Sequence, residues 1–169
     1  MILSLVNMTS EEPTTTKPLH ILVAVDLSEA SEKALREACR LINLTQASLL
    51  ILAVAEPVTV PASSIVPGLI GDDALLGLQQ HSQMMQLEQE RVKLALNWAE
   101  QICQEAGVTY RLATAFGDPK TIICETARRE NCDLIVVGSR NLGFLHRLMT
   151  GSVSDFVVHH AQCSVLVVH

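Results

Sequence analysis

Aromatic side chains are nearly absent from this chain, with one Trp, one Tyr and three Phe among 169 residues. The core must therefore be built from Val, Leu, Ile and Ala, a composition that suits a parallel sheet covered by helices. Positive charge is also short. Twelve Lys and Arg face eighteen Asp and Glu, a formal net charge of −6, which argues against a nucleic-acid partner because such a partner needs a basic face. No apolar run approaches the length of a membrane span. The five cysteines, at positions 39, 103, 124, 132 and 163, form no C-x-x-C pair. A disulfide framework or a zinc site would show paired spacing, so the expectation is buried, reduced thiols in a cytoplasmic protein and no metal site. His159 and His160 are neighbours, and on a helix neighbours point apart.

Two phosphate-binding signatures are missing as well. No Lys-Ser or Lys-Thr follows a glycine at the spacing of the common phosphate loop, and no G-x-G-x-x-G is present. The first residues, MILSLV, lack a positive leader and are too short an apolar run for a signal peptide. Residues 1–18 are expected to form a flexible, Thr-rich arm, and 19–169 a single domain.

What is present is a regular alternation. HILVAVD (His20 to Asp26) and SLLILAVA (Ser48 to Ala55) read as buried strands. Between them Ser28 caps a helix whose inner face is Ala34, Leu35, Ala38, Leu41 and Ile42. Pro57 to Gly71 reads as a mobile, apolar loop. From about Asp73 to Ala106 the pattern is helical, with Leu87, Ala95, Trp98 and Ile102 on one face and Gly107 as a stop. Thr109 to Ala115 is a third strand, Asp118-Pro119 starts the next helix, and Asp133 to Val137 is a fourth strand. Gly151 to Ala161 is the last helix and Ser164 to Val168 the fifth strand. This β-α order predicts a doubly wound α/β domain with right-handed crossovers.

The stretch LIVVGSRNLGFLHRLMTGSVS, Leu134 to Ser154, carries the functional signal. An aliphatic strand ends at Gly138-Ser139, a polar loop follows, and Gly151-Ser152 opens a helix thirteen residues after the first glycine. Strand, glycine loop and helix start present free N–H groups and a positive helix end to a phosphate. In a doubly wound sheet, Asp26, Val54, Gly138 and Gly151-Ser152 converge at the carboxyl ends of the strands, where ligands bind. Asp26 can accept from ribose hydroxyls or an adenine amino group, and Gly138 admits close approach without a Cβ. Ser152 can hold phosphate oxygens, with Arg140 as counter-charge. Taken singly, Asp26 reads equally as a turn or capping residue, Gly138 as a steric requirement, Arg140 as surface charge and Ser152 as a helix cap.

These residues resemble the universal stress protein family. The likeness rests on Asp26 after the first strand, the GDP of Gly117 to Pro119, DLIVVGSR, GSVSDFV and CSVLVV, and spans Leu19 to His169. ATP-binding members carry G-x-x-G, nine residues, then G-[ST]. Here the glycines fall on Gly138 and Gly151 and the hydroxyl on Ser152, while Asn141 stands at the second glycine. Asn tolerates positive φ better than other non-glycine residues, which keeps the loop shape accessible. The resemblance implies base and ribose contacts from Ala24, Val25 and Asp26, and base contacts from Val54 and Val137. It puts Val153 and Ser154 near the phosphates of ATP, or of AMP or ADP, with Mg²⁺ accompanying ATP. It also implies sheet order 3-2-1-4-5 and a homodimer through the edge strand Ser164–Val168. Two roles follow: a cytoplasmic ATP-binding stress-response protein, or a nucleotide-free dimer acting through protein contacts. No general base is paired with a nucleophile, so turnover beyond slow ATP hydrolysis or self-phosphorylation is not expected.

Overall fold

The computed structural model describes residues 18–45, 47–58, 72–139 and 153–169. Five strands form one sheet in the order β3-β2-β1-β4-β5, all parallel. They are β1 (His20–Ala24), β2 (Ser48–Ala55), β3 (Tyr110–Phe116), β4 (Leu134–Gly138) and β5 (Ser164–Val168). The helices are α1 (Glu29–Thr45), α2 (Asp72–Ala106), α3 (Pro119–Arg129) and α4 (Val153–His160). The expected order and connectivity hold throughout.

Strand alternation divides the aliphatic residues between two cores. Ile21, Val23 and Val25 of the first strand segment join Leu49, Ile51, Ala53 and Val136 beneath α1 and α2. Leu22, Leu50, Leu52, Val54, Ile135 and Val137 face the other way, against Ile123 and Ala127 of α3 and Val157 of α4. Ile21, Leu22 and Val23 are wholly buried, each contributing about 2 kcal/mol over an exposed position. Continuous aliphatic strands are needed here because both faces of the sheet are covered.

The helix ends follow their local chemistry. Asp118 caps α3, accepting from Thr121 N at 3.4 Å and Thr121 Oγ1 at 2.9 Å, with Pro119 at the first helical position. Such a cap stabilises a helix by about 1 kcal/mol. Gly107 ends α2 at φ +65°, and Val108 N–H returns to Cys103 O at 3.0 Å. The five elements whose ends shift from their sequence-based bounds do so by a residue or two, as β1 does in stopping at Ala24 rather than Asp26. In α2 one residue departs from expectation: Leu87 is 70% exposed. The buried face of α2 is Val92, Ala95, Ala99, Ile102 and Cys103, because only the second half of this long helix lies on the sheet. All five cysteines are free; Cys39, Cys103 and Cys132 are buried, and Cys124 and Cys163 half-buried. The thiols of Cys39 and Cys103 touch at 3.7 Å in the seam between α1 and α2.

Candidate functional site

The sheet brings six of the expected site residues to one edge. Val23 lies opposite Val136 and Ala24 opposite Leu52, so Ala24, Val25, Asp26, Val54, Val137 and Gly138 all fall at the carboxyl ends of the three central strands. Ala24, Val54 and Val137 pack together on the α3 and α4 side, whereas Val25 belongs to the opposite core. Val153 and buried Ser154 open α4. Arg140, Asn141, Gly151 and Ser152 lie outside the described residues, as do the arm through residue 17 and residues 59–71 of the expected loop.

Asp26 performs the local role that its sequence context allowed. Its Oδ1 accepts from Ser28 N at 3.0 Å and from the Ser28 hydroxyl. Ser28 Oγ in turn accepts from Ser31 N at 3.2 Å, capping α1. Ser31, buried and not singled out from the sequence, donates its hydroxyl to Asp26 O and to Ser28 O, the latter at 3.0 Å. The result is a tightly bonded turn that fixes the Asp26 carboxylate just past the end of β1.

Gly138 is required for a reason that differs in part from the expected one. A Cβ built there would stand 2.2 Å from Ala30 O and 2.9 Å from Ala30 Cβ. The first turn of α1 therefore occupies the space a side chain would need, and the glycine serves helix–strand packing. The next residue joins the edge strand, with Ser139 N–H donating to Val168 O at 2.8 Å.

Three charged residues at this edge were not legible in the sequence. Arg91 of α2 donates from Nη2 to Val54 O at 3.2 Å, and Glu88 Oε1 accepts from Glu56 N at 2.9 Å. Arg91 and Glu88 also grip each other, Nη2 to Oε1 at 2.6 Å and Nε to Oε2 at 2.9 Å. The hydrogen bond from Arg91 holds the Glu88 carboxyl below its usual range, against the opposing effect of burial. In the sequence this is an ordinary i,i+3 pair on a helix.

Comparison with known proteins decides the relationship. The universal stress protein family model matches residues 19–169. The chain belongs to the universal stress protein family. Universal stress protein Sll1388 of Synechocystis is 34% identical over 148 residues, covering 88% of this chain and 96% of that protein. Among solved structures, the universal stress protein UspA from Lactobacillus plantarum superposes with a TM-score of 0.66 at 29% identity, covering 89% of this chain and 97% of that one. A universal stress protein family protein from Arabidopsis thaliana, solved with AMP bound, superposes with a TM-score of 0.57 at 26% identity, covering 89% and 91%. The order β3-β2-β1-β4-β5 is thus a universal stress protein fold, and the carboxyl edge described above is where open α/β sheets in general take ligands.

Proposed function

We propose that this member of the family binds an adenine nucleotide at the carboxyl edge of its sheet and acts as a cytoplasmic stress-response protein whose occupancy signals state. ATP is the preferred ligand, with AMP or ADP as alternatives. The observation that carries this reading is the shared apolar surface of Ala24, Val54 and Val137 beside the fixed Asp26 carboxylate. Adenine and ribose need that pairing: a flat apolar floor for the base and an acceptor for the hydroxyls. The AMP held by the Arabidopsis relative supports the same ligand class. In this reading Val25 and Gly138 shape the turn beneath the ribose. Arg140, Asn141, Gly151, Ser152, Val153 and Ser154 surround the phosphates. Any Mg²⁺ would accompany the phosphates of ATP. Residues 19–169 act as one domain after an arm of eighteen residues, and a homodimer forms through the outer edge of β5.

A second reading, a nucleotide-free dimer working through protein contacts, is favoured by the partners that Asp26 and Val54 already have within the chain. Mass spectrometry of the purified, heat-denatured protein separates the two. Co-released ATP or AMP, with a thermal shift on adding it back, is expected. A blank with no thermal shift supports the nucleotide-free dimer. Gly151→Val should abolish binding by filling the phosphate space, and Asn141→Gly should leave it equal or tighter. Val165→Lys with Val167→Lys should convert a sedimenting dimer into monomers or aggregates.

A further inference from the structure

At the carboxyl end of β2 the sheet loses a neighbour. β1 ends at Ala24, opposite Leu52, and its continuation still bonds there, Val25 N–H to Leu52 O at 2.9 Å. β2 runs on to Ala55. Successive carbonyls of a strand point to opposite sides. Leu52 O faces β1, and Ala55 O faces β3, where it accepts from Gly117 N–H at 2.9 Å. Val54 C=O and Glu56 N–H therefore point toward the side that β1 has left. The groups that β1 has left unpaired find their partners on α2: Arg91 for the carbonyl at 3.2 Å and Glu88 for the N–H at 2.9 Å.

A donor on a strand carbonyl, together with an acceptor for the N–H two residues on, is also what adenine offers. Its amino group lies beside a ring nitrogen on either polar edge. Arg91 and Glu88 thus present to Val54 and Glu56 the same donor–acceptor pattern as the base. Resting on the nucleotide reading above, we infer that Arg91 and Glu88 determine specificity at the base subsite: they occupy the backbone pair an adenine would bond to, and the base binds by displacing them. The pair is well suited to swing aside as a unit, because its two members bond to each other at 2.6 and 2.9 Å. Arg91 is one-third exposed, so the guanidinium has solvent to move into. The carboxylates of Glu88, Glu56 and Asp26 all favour its charged form, led by the hydrogen bond it donates to Glu88.

Displacement costs affinity only for ligands that carry a base. Calorimetric titration of the full-length chain with AMP and with ribose 5-phosphate, in wild type and Arg91→Met, tests this. Met keeps an apolar stem and removes the donor. AMP should bind about tenfold tighter to the variant, the size of one charge-assisted hydrogen bond, while ribose 5-phosphate is unchanged. In wild type the Glu56 amide resonance should move with AMP and stay still with ribose 5-phosphate. Weaker or equal AMP binding by Arg91→Met, beside a wild type that binds AMP, overturns the inference and leaves the nucleotide reading standing. So does an equal gain for both ligands, which would put the effect away from the base. No AMP binding by either form overturns the inference, and the absence of ATP binding as well overturns both readings. Should Arg91→Met fail to fold by circular dichroism, Glu88→Gln, which keeps the shape and loosens the hold on Arg91, takes its place with the same pair of titrations and a smaller gain expected.

Discussion

The two ends of the sheet satisfy their backbone groups from different sources. At the amino end the strands and their short connections bond to one another. His20 N–H donates to Asp133 Oδ2 at 2.8 Å, Asp133 N–H returns to His20 O at 2.8 Å, and Ser48 N–H reaches Leu19 O at 2.8 Å. The His20 ring meets Glu130 O at 3.0 Å, and Arg111 pairs with Glu130 at 3.0 Å across β3 and the α3 exit. At the carboxyl end backbone bonds such as Gly117 N–H to Ala55 O persist, but helix side chains supply part of the pairing, from α2 to Val54 and Glu56 and from Ser31 of α1 to Asp26 N–H. Backbone partners within the sheet can be lost only by breaking it. Partners on a helix side chain can be exchanged for a ligand. One end is tied by the strands and their connections, and the other leans in part on helix side chains.

The comparison can be broken hardest at Gly138. Gly138→Val should destabilise by about 3 kcal/mol or more through overpacking against the Ala30 backbone, seen as a large drop in denaturation midpoint even without ligand. Next comes the amino end, where Asp133→Ala leaves the His20 N–H without its acceptor. A loss of about 2 kcal/mol is expected, with AMP affinity unchanged in the same preparation. A large change in affinity would mean that the two ends are not separate.

The acid limb of stability sharpens the carboxyl side. Because Arg91 lowers the folded-state pKa of Glu88, the contribution of that carboxylate is present above the ordinary carboxylate range. It is lost as pH falls through the lowered folded value. The stability difference between wild type and Glu88→Gln, from urea unfolding, should shrink toward zero on acidification from neutral pH. The smallest effect is kinetic and belongs to the amino end. Burial, with nearby Cys163, Glu130 and Asp133, pushes the Cys132 thiol up to about 11. Iodoacetamide at neutral pH should modify it about a hundredfold more slowly than an ordinary thiol.

The fold was readable because both faces of the sheet are covered: an uninterrupted aliphatic run such as SLLILAVA has few other ways to be buried. Leu87 was misread because helical period reports an apolar stripe, not how far along its length the helix meets the sheet. At the site, Asp26 carried two sequence readings, and the structure shows its local turn role realised in the bonds from Ser28, which itself caps α1. Gly138 was correctly marked as intolerant of a side chain, but the neighbour that forbids it is Ala30, more than a hundred positions away in the chain. Arg91 and Glu88 left no usable trace. Their meaning depends on the meeting of residues 54, 56, 88 and 91, and local spacing does not encode that meeting.

The seat of Gly138 against Ala30 has a mechanical consequence. With the α1 backbone lodged where a side chain would stand, the first turn of that helix and the end of β4 cannot slide past each other. The turn through Asp26, Ser28 and Ser31 is carried on the same helix start, so the walls on either side of the central crevice share a single anchorage and lose their relative freedom.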